Sequence, residues 1–184
     1  GWVNPIKVKN EKNQSVGVIG AGPAGLAAAE QLRNSGYQIT VYDRYDRAGG
    51  LLIYGIPNFK LEKFVVERRT KLLEKGGIEF IQNFEVGKDA TLDQLRKKHD
   101  ALLIATGVYK AREIDLPGKD LGNIFPAMEF LMASNKKGLG DKVELFDNGT
   151  LNTEGKNIVV IGGGDTAMDC VRTSIRQKAK SVKC

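Results

Sequence analysis

The stretch that decides the fold is Val16–Gly25, which has the sequence VGVIGAGPAG. Val16–Gly20 is a short apolar run that ends in glycine, a pattern typical of a fully buried parallel strand. Ala24–Ser35 then carries apolar residues at helical spacing and stops before Gly36, which favours a helix that ends at a C-terminal glycine. The sequence therefore predicts a strand, a tight turn and a helix in direct succession.

The turn itself fits G-x-G-x-x-G, and each glycine has a separate physical role. Gly20 makes the tight turn, Gly22 lets a pyrophosphate approach the backbone, and Gly25 lets the helix pack closely on the sheet. Pro23 and Ala24 open the helix, where the missing N–H of proline costs nothing. The free N–H groups and the helix dipole favour a phosphate, so the turn predicts a dinucleotide site. An ordinary glycine-rich turn is the alternative.

A second group of candidate residues follows the next predicted strand, Gln38–Tyr42. Asp43 ends that strand at the spacing where a carboxylate accepts hydrogen bonds from ribose hydroxyls. A glycine pair then brings further backbone N–H groups near the same diphosphate or a flavin edge, with an ordinary loop as the alternative. The predicted cofactor-binding residues of this region are Asp43, Arg44, Gly49, Gly50 and Leu51.

The rest of the chain alternates predicted strands and helices, which indicates parallel α/β units with right-handed crossovers. The fold class is therefore α/β, a Rossmann-like parallel sheet with flanking helices that binds FAD or NAD(P). The remaining predicted elements are the helices Leu61–Lys75, Thr91–Lys98, Pro126–Ser134 and Asp165–Gln177, the strands Ile78–Ile81, Asp100–Ala105 (buried), Asn157–Ile161 and Ser181–Cys184, and a loop over Asn135–Gly155.

A second glycine motif, GGGDTA over Gly162–Ala167, follows the predicted strand Asn157–Ile161 and fits G-x-G-x-x-A. Two dinucleotide sites in one chain are explained most simply by FAD and a pyridine nucleotide, because hydride passes between the two. Ala105-Thr106-Gly107 looks like the strand-end turn found in two-nucleotide flavoproteins, with a common strand-end turn as the alternative. The candidate nucleotide residues are Gly162, Gly164, Asp165, Thr166 and Ala167, and these residues leave the choice between NADPH and NADH open.

Composition excludes several classes of protein. Two cysteines and one histidine exclude a disulfide framework, an iron–sulfur cluster held by this chain and paired-histidine catalysis. The net charge of +6 suits an anionic ligand, and the lack of a basic run with interleaved aromatic residues disfavours nucleic acid. With no apolar run of membrane-spanning length and no signal peptide, we expect a cytoplasmic protein without a membrane partner.

The motifs suggest three segments: a linker over 1–15, an incomplete FAD-binding domain over 16–150 and the start of an NAD(P)-binding domain over 151–184. Three side chains have simpler predicted roles. We expect His99 to be either a surface residue or a dipole partner at the C-terminus of a helix, Asp169 to be a helix-start carboxylate, and Cys170 to be a small core residue. Tyr54 and Phe59 either cover a flavin face or pack in a loop.

Together these stretches resemble the small (beta) subunits of bacterial NADPH-dependent glutamate synthases over essentially the whole chain. The residues that carry the resemblance are GWVNPIK (1–7), VIGAGPAGLAAA (18–29), GGLLIYGIPNFKLEK (49–63) and VVIGGGDTAMDCVRTSIRQ (159–177). Related flavoproteins include dihydropyrimidine dehydrogenase and ferredoxin:NADP-linked enzymes. At the position of Asp43, the family often has a glutamate as the acidic ribose ligand. The side chain of Asp43 is one methylene shorter than that glutamate.

The resemblance implies that electrons pass from NADPH to FAD, then to iron–sulfur clusters, and then to a large (alpha) subunit that forms glutamate. By position, FAD is lined by the first glycine motif together with Asp43, Gly50, Leu51 and Thr106. Val86 contacts the adenine of FAD, and the second glycine motif lines the pyridine nucleotide. The cysteine-rich domain, most of the nucleotide domain and the C-terminal return segment of the family are missing from this sequence, so we expect an incompetent fragment of an oxidoreductase. A related electron-transfer flavoprotein and a non-catalytic nucleotide-binding fragment are the alternatives.

Overall fold

The computed structural model describes residues 3–111, 115 and 117–184, so Gly1 and Trp2 of the GWVNPIK stretch lie outside the described residues. The Cα positions divide the chain into two compact units, one formed by 1–53 and 63–108 and the other by 54–62 and 109–184. This division assigns residues 109–150 to the same unit as the second glycine motif. The three-segment division expected from the motifs stays a prediction.

The first unit is a parallel sheet with helices, as the α/β prediction requires. The strand order is β3-β2-β1-β4, and every neighbouring pair is parallel. This is the order of the first four strands of a Rossmann sheet. Its elements are β1 (Ser15–Ile19), α1 (Pro23–Asn34), β2 (Gln38–Tyr42), α2 (Leu51–Tyr54, whose last residue belongs to the second unit), α3 (Lys63–Lys75), β3 (Ile78–Ile81), α4 (Leu92–Lys98) and β4 (Ala101–Ile104).

The core of this unit forms where β1 and β2 meet α1. Val18 and Val41 are fully buried, and Leu26 and Ala29 on α1 pack into the same cluster. β-Branched side chains suit such a pleated and doubly covered surface. The core fixes the carboxyl ends of β1 and β2 next to each other, and the first glycine turn and Asp43 follow those two ends directly.

The prediction of a buried strand over Asp100–Ala105 is wrong about burial. β4 forms where expected, but Leu103 is 37% exposed and Ile104 is 62% exposed. The reason lies in its position: β4 is the edge strand of the described sheet and pairs with β1 on one side. An apolar run by itself does not show whether a strand is central or lies at an edge.

The second unit contains the second glycine turn. Its elements are α5 (Ala127–Gly138), α6 (Glu144–Asp147), β5 (Asn157–Val159), α7 (Asp165–Arg176) and β6 (Ser181–Lys183). β5 and β6 pair in parallel, and Phe130 and Leu131 of α5 pack with Cys170 of α7. The strand–helix–strand arrangement predicted over 157–184 is therefore confirmed.

The predicted loop over Asn135–Gly155 is wrong in two places. α5 continues to Gly138, since Asn135 is buried and donates from Nδ2 to the Tyr54 carbonyl at 2.8 Å. Lys136 and Lys137 in its last turn face the negative end of the helix dipole. α6 also lies within the predicted loop, where the Asp147 carboxylate accepts a hydrogen bond from the Val143 N–H at 3.1 Å.

Candidate functional site

The first glycine turn connects β1 to α1 directly. Gly20 has φ +108° and donates its N–H to the Tyr42 carbonyl of β2 at 2.8 Å, so the turn is fixed to the neighbouring strand. Gly22 is the N-cap of α1 in an extended conformation and Pro23 is in its first turn. The turn and the helix therefore have the form that the sequence predicts.

The three glycines are required for different reasons. A Cβ at Gly20 would lie 2.4 Å from the Ala105 carbonyl oxygen, and one at Gly25 would lie 1.9 Å from the Gly20 carbonyl oxygen. Packing within the protein therefore requires both glycines. A Cβ at Gly22 meets no described atom within 4 Å. The backbone at Gly22 thus faces open space, the property needed for close approach of a ligand.

The N-terminus of α1 suits an anion. Gly22 offers no side chain to cap the helix, and the first turn of α1 holds no acidic residue. The first N–H groups of a helix have no partner within it, and the helix dipole adds partial positive charge there. Ala24 and Gly25 belong to this first turn, so their N–H groups are directed toward the open side of the turn.

Asp43 lies at the carboxyl end of β2 and is 8% exposed. Its Oδ2 accepts the Ala21 N–H at 2.5 Å and its Oδ1 accepts the Tyr45 N–H at 2.9 Å. The carboxylate therefore ties the glycine turn to the chain after β2. A carboxylate has about four acceptor sites, so these two bonds leave capacity for a hydroxyl group. Arg44 is exposed, and its guanidinium lies 5.0 Å from the centre of the Tyr45 ring.

The glycine pair at 49–50 lies against the first glycine turn. Gly49 donates its N–H to the Ala21 carbonyl at 2.8 Å, and a Cβ at Gly50 would lie 2.8 Å from the Gly22 Cα. Both glycines have positive φ, which favours glycine at these positions. Leu51 begins α2 and is 44% exposed. The structure thus brings the two predicted FAD-binding stretches together.

Val86 and Thr106, which are far apart in the sequence, line one open cleft of about 240 Å³. Gly107 follows with φ +69° and is exposed. The cleft lies at the carboxyl ends of β1 and β4, the edge at which parallel α/β sheets bind ligands. Its other lining residues are Ile19, Gly87, Leu92 and Ile104.

The second glycine turn connects β5 to α7. Gly162 has φ +134°, and the open space around Gly163 and Gly164 resembles that at Gly22. Asp165 and Thr166 are exposed, whereas Ala167 is buried, with its Cβ 3.5 Å from the place a Gly162 Cβ would take. A small third residue therefore suits this turn. Unlike α1, α7 has an acidic residue, Asp165, in its first turn.

His99 is the C-cap residue of α4, at the helix end where it was expected, but the surface alternative is wrong. His99 is 7% exposed, and its ring nitrogens lie 2.8 Å from the Tyr42 hydroxyl and 3.2 Å from the Ser15 hydroxyl. Gly17 makes room for the ring, since a Cβ there would lie 2.8 Å from His99 Cδ2. Burial lowers the pKa of His99 below its usual value, and Lys98 adds to this effect. A glycine inside a strand was the available signal.

Two residues of α7 can be compared with their predicted roles. Cys170 is a small core residue as expected, and burial raises its pKa to about 11. Asp169 lies one turn after the start of α7 and is buried: it is 6% exposed, and both of its oxygens lie 3.0 Å from Lys60 Nζ. Sequence reasoning missed Lys60, which has no motif of its own within 49–63.

Tyr54 and Phe59 pack within the second unit. Tyr54 is 2% exposed, with Lys136 Nζ 5.2 Å from its ring centre. The Arg176 guanidinium lies 3.7 Å from the ring centre of Phe59. These contacts favour the packing alternative for both aromatic rings.

The part of the chain that the structure describes contains neither a metal-binding group of side chains nor a membrane-spanning helix. Over 3–111, 115 and 117–184, no three His, Cys, Asp or Glu side chains are grouped so that they could hold a metal ion. In the same ranges, no helix combines the length and the apolar character that crossing a membrane requires.

Comparison with known proteins identifies the family. Residues 14–183 match the family model described as pyridine nucleotide-disulphide oxidoreductase. The chain belongs to this family. The matched range includes both glycine turns and both parallel sheets.

Two relatives of this family member are named as glutamate synthase chains. The glutamate synthase [NADPH] small chain of Azospirillum brasilense is 66% identical over 184 residues, which are all of this chain and 38% of that protein. The putative glutamate synthase [NADPH] small chain of Cereibacter sphaeroides is 59% identical over 184 residues, again all of this chain and 44% of that protein. The chain thus spans less than half the length of these relatives.

A solved structure supports the fold. FprA from Mycobacterium tuberculosis superimposes with a TM-score of 0.76 at 21% identity, covering 93% of this chain and 43% of that chain. This similarity shows that the α/β architecture is shared with a solved protein.

Proposed function

We propose that this chain supplies the FAD-binding and pyridine-nucleotide-binding elements of an NADPH-dependent glutamate synthase small subunit, in which hydride passes from NADPH to FAD. The 66% identity with the small chain of Azospirillum brasilense over the full chain carries the proposal. The two glycine turns support it, because each has open backbone at the start of a helix.

The residues of the first unit fit FAD. The open backbone at Gly22 and the uncapped start of α1 suit the diphosphate, and Asp43 suits a ribose hydroxyl. The cleft that Val86 and Thr106 line offers apolar surface beside the turn. The proposed FAD-binding set is Gly20, Gly22, Pro23, Ala24, Gly25, Asp43, Arg44, Gly49, Gly50, Leu51, Val86, Thr106 and Gly107.

The residues of the second unit fit a pyridine nucleotide. The open space at Gly163 and Gly164 lies at the start of α7, where N–H groups again lack helical partners. Asp165 places a negative charge in that first turn, which favours a role near the nicotinamide over one near the phosphates. The proposed set is Gly162, Gly164, Asp165, Thr166 and Ala167.

In this proposal the residues of the chain bind and orient the two cofactors. FAD, when bound, would accept a hydride and release electrons one at a time. The chain holds no cysteine set for a cluster, so iron–sulfur clusters belong to other parts of the subunit. The partner is the large subunit of the synthase, in the cytoplasm.

The test uses the product of the complete gene. The purified protein should carry FAD, and anaerobic addition of NADPH should bleach the visible flavin band faster than NADH does. With the large subunit present, it should form glutamate from glutamine and 2-oxoglutarate. Failure of NADPH and NADH alike to reduce the flavin would contradict the proposal. Flavin reduction without glutamate formation would instead favour a related electron-transfer flavoprotein.

A further inference from the structure

The connecting segment Tyr54–Glu62 leads from the end of α2 to α3, and side chains of the second unit contact it at several places. Asn135 donates to the Tyr54 carbonyl, Arg176 covers the Phe59 ring, and Lys60 forms an ion pair with Asp169. The segment has its own turn, since the Lys60 N–H donates to the Pro57 carbonyl at 2.9 Å. Two of these contacts involve α7, the helix that follows the second glycine turn.

The ion pair is asymmetric in its burial. The Asp169 side chain is 8% exposed, whereas the Lys60 side chain is 37% exposed. Both carboxylate oxygens lie 3.0 Å from the one ammonium group. A carboxylate taken out of water at such a place is costly when its partner is removed, because its charge is left uncompensated. Asp169 therefore depends on Lys60.

The pair also lies on the helix face that carries Asp165. Asp165 and Asp169 are four residues apart on α7, so their side chains project from the same face. Without Lys60 this face would carry two uncompensated negative charges beside the turn proposed to receive an anionic dinucleotide. With Lys60 in place, the second charge is neutralised and the connecting segment is fixed along the helix.

We propose that Lys60 and Asp169 are positioning residues for the pyridine nucleotide: their ion pair holds the connecting segment against α7 and so fixes one side of the second glycine turn. This inference rests on the proposed function, because it assigns the pair to the same nucleotide site. It concerns binding and orientation, and neither residue is given a chemical step.

The test compares Lys60→Met, Asp169→Asn, the double variant and Lys60→Arg in the product of the complete gene. Both single changes should raise the KM for NADPH about tenfold or more, while FAD content stays at the wild-type level. The double variant should lose less than the product of the two single effects, because it leaves no uncompensated charge. Lys60→Arg keeps the cation and should recover most of the loss.

Asp169→Asn is the discriminating variant. If charge alone mattered, removing this carboxylate would lower the KM for NADPH, since the face becomes less negative. Positioning predicts the opposite sign, and a KM that falls or stays unchanged overturns the proposal. A lower melting temperature with an unchanged KM overturns it too, since that result describes a purely structural pair. Lys119→Met, which removes the cation of the exposed Asp115 pair, is the matched control and should leave the KM unchanged.

Chymotrypsin sensitivity separates this inference from the proposed function. Phe59 is 39% exposed within the segment, so release of the ion pair in Asp169→Asn, which leaves the sequence of the segment unchanged, should accelerate cleavage there several-fold relative to wild type. If wild type fails to oxidise NADPH or bind NADP⁺, the proposed function and the nucleotide role fail together, and accelerated cleavage then upholds only the anchoring. Unchanged cleavage in Asp169→Asn overturns the anchoring itself.

Discussion

Replacing Gly22 by alanine should separate ligand binding from folding. The three glycines of the first turn fit one motif, yet their surroundings differ. The Gly22 backbone is extended, with φ −75° and ψ −177°, and its missing side chain faces open space. Alanine is therefore accommodated at Gly22 in the unliganded protein. At Gly25, by contrast, the new Cβ would lie 1.9 Å from the Gly20 carbonyl oxygen.

The expected effects on stability follow from these distances. Alanine is a poorer N-cap than glycine by up to about 1 kcal/mol, but it also restricts the unfolded chain, which returns about 0.4–1 kcal/mol. Gly22→Ala should therefore change the free energy of unfolding by less than about 1 kcal/mol. Gly25→Ala forces backbone atoms of the turn and α1 apart, so overpacking should cost about 1–3 kcal/mol or more.

Gly22→Ala, which should change stability little, should have a large effect on FAD affinity. A methyl group at Gly22 keeps a diphosphate from the backbone and removes one charge-assisted hydrogen bond, which contributes about 1.5–3 kcal/mol. The dissociation constant for FAD should then rise by about 10-fold to 150-fold. Gly22→Val adds more bulk at the same place and should abolish binding.

Two measurements on each variant decide the matter. Urea unfolding followed by circular dichroism gives the free energy of unfolding, and titration of the apoprotein by flavin fluorescence gives the FAD affinity. The reasoning is refuted if Gly22→Ala binds FAD within about twofold of wild type, a difference of about 0.4 kcal/mol. It is equally refuted if Gly22→Ala unfolds as easily as Gly25→Ala, since the open space would then not exist.

Three further changes have expected outcomes. Asp43→Ala leaves the buried Ala21 N–H and the partly buried Tyr45 N–H without their acceptor, so urea unfolding should show a loss of about 1–3 kcal/mol, and wild-type stability would contradict this role. The pKa of His99 is lowered in the folded protein, so the unfolded chain binds more protons than the folded chain as the pH falls below 6.5. The free energy of unfolding should therefore decline below this pH, and His99→Gln should make the decline smaller. A thiol reagent should label exposed Cys184 quickly but reach Cys170, whose pKa is raised to about 11, only after unfolding, and rapid labelling of both thiols would argue against this burial.

Local patterns predicted most of the secondary structure because the signals are themselves local. Gln38–Tyr42 and Ile78–Ile81 form the strands expected, and Thr91 caps α4 through the Gln94 N–H, as a threonine before a helical run predicts. The short helix α2 went unpredicted, since four residues are too few for a helical period to show. The exposure of β4 depends on strand order, which no single segment records.

The candidate site was predictable to the extent that it consists of backbone. Glycine spacing located both turns, because a backbone position that has no room for a Cβ, or that has a positive φ, favours glycine over other residues. Pairings between distant side chains were not predictable: Asp43 with the Ala21 N–H, and Lys60 with Asp169, join positions 22 and 109 residues apart. Their partners become known only when the topology is known.

The two glycine turns share a motif but differ in the charges around them. The first turn of α1 contains no acidic residue, so its dipole and N–H groups act on an anion without opposition. α7 begins with Asp165 and carries Asp169 one turn later, so negative charge accumulates where the motif predicts an anion. Lys60 compensates for one of those charges from outside the motif. A glycine motif therefore specifies backbone geometry, and the ligand that each turn accepts depends on side chains that the motif does not include.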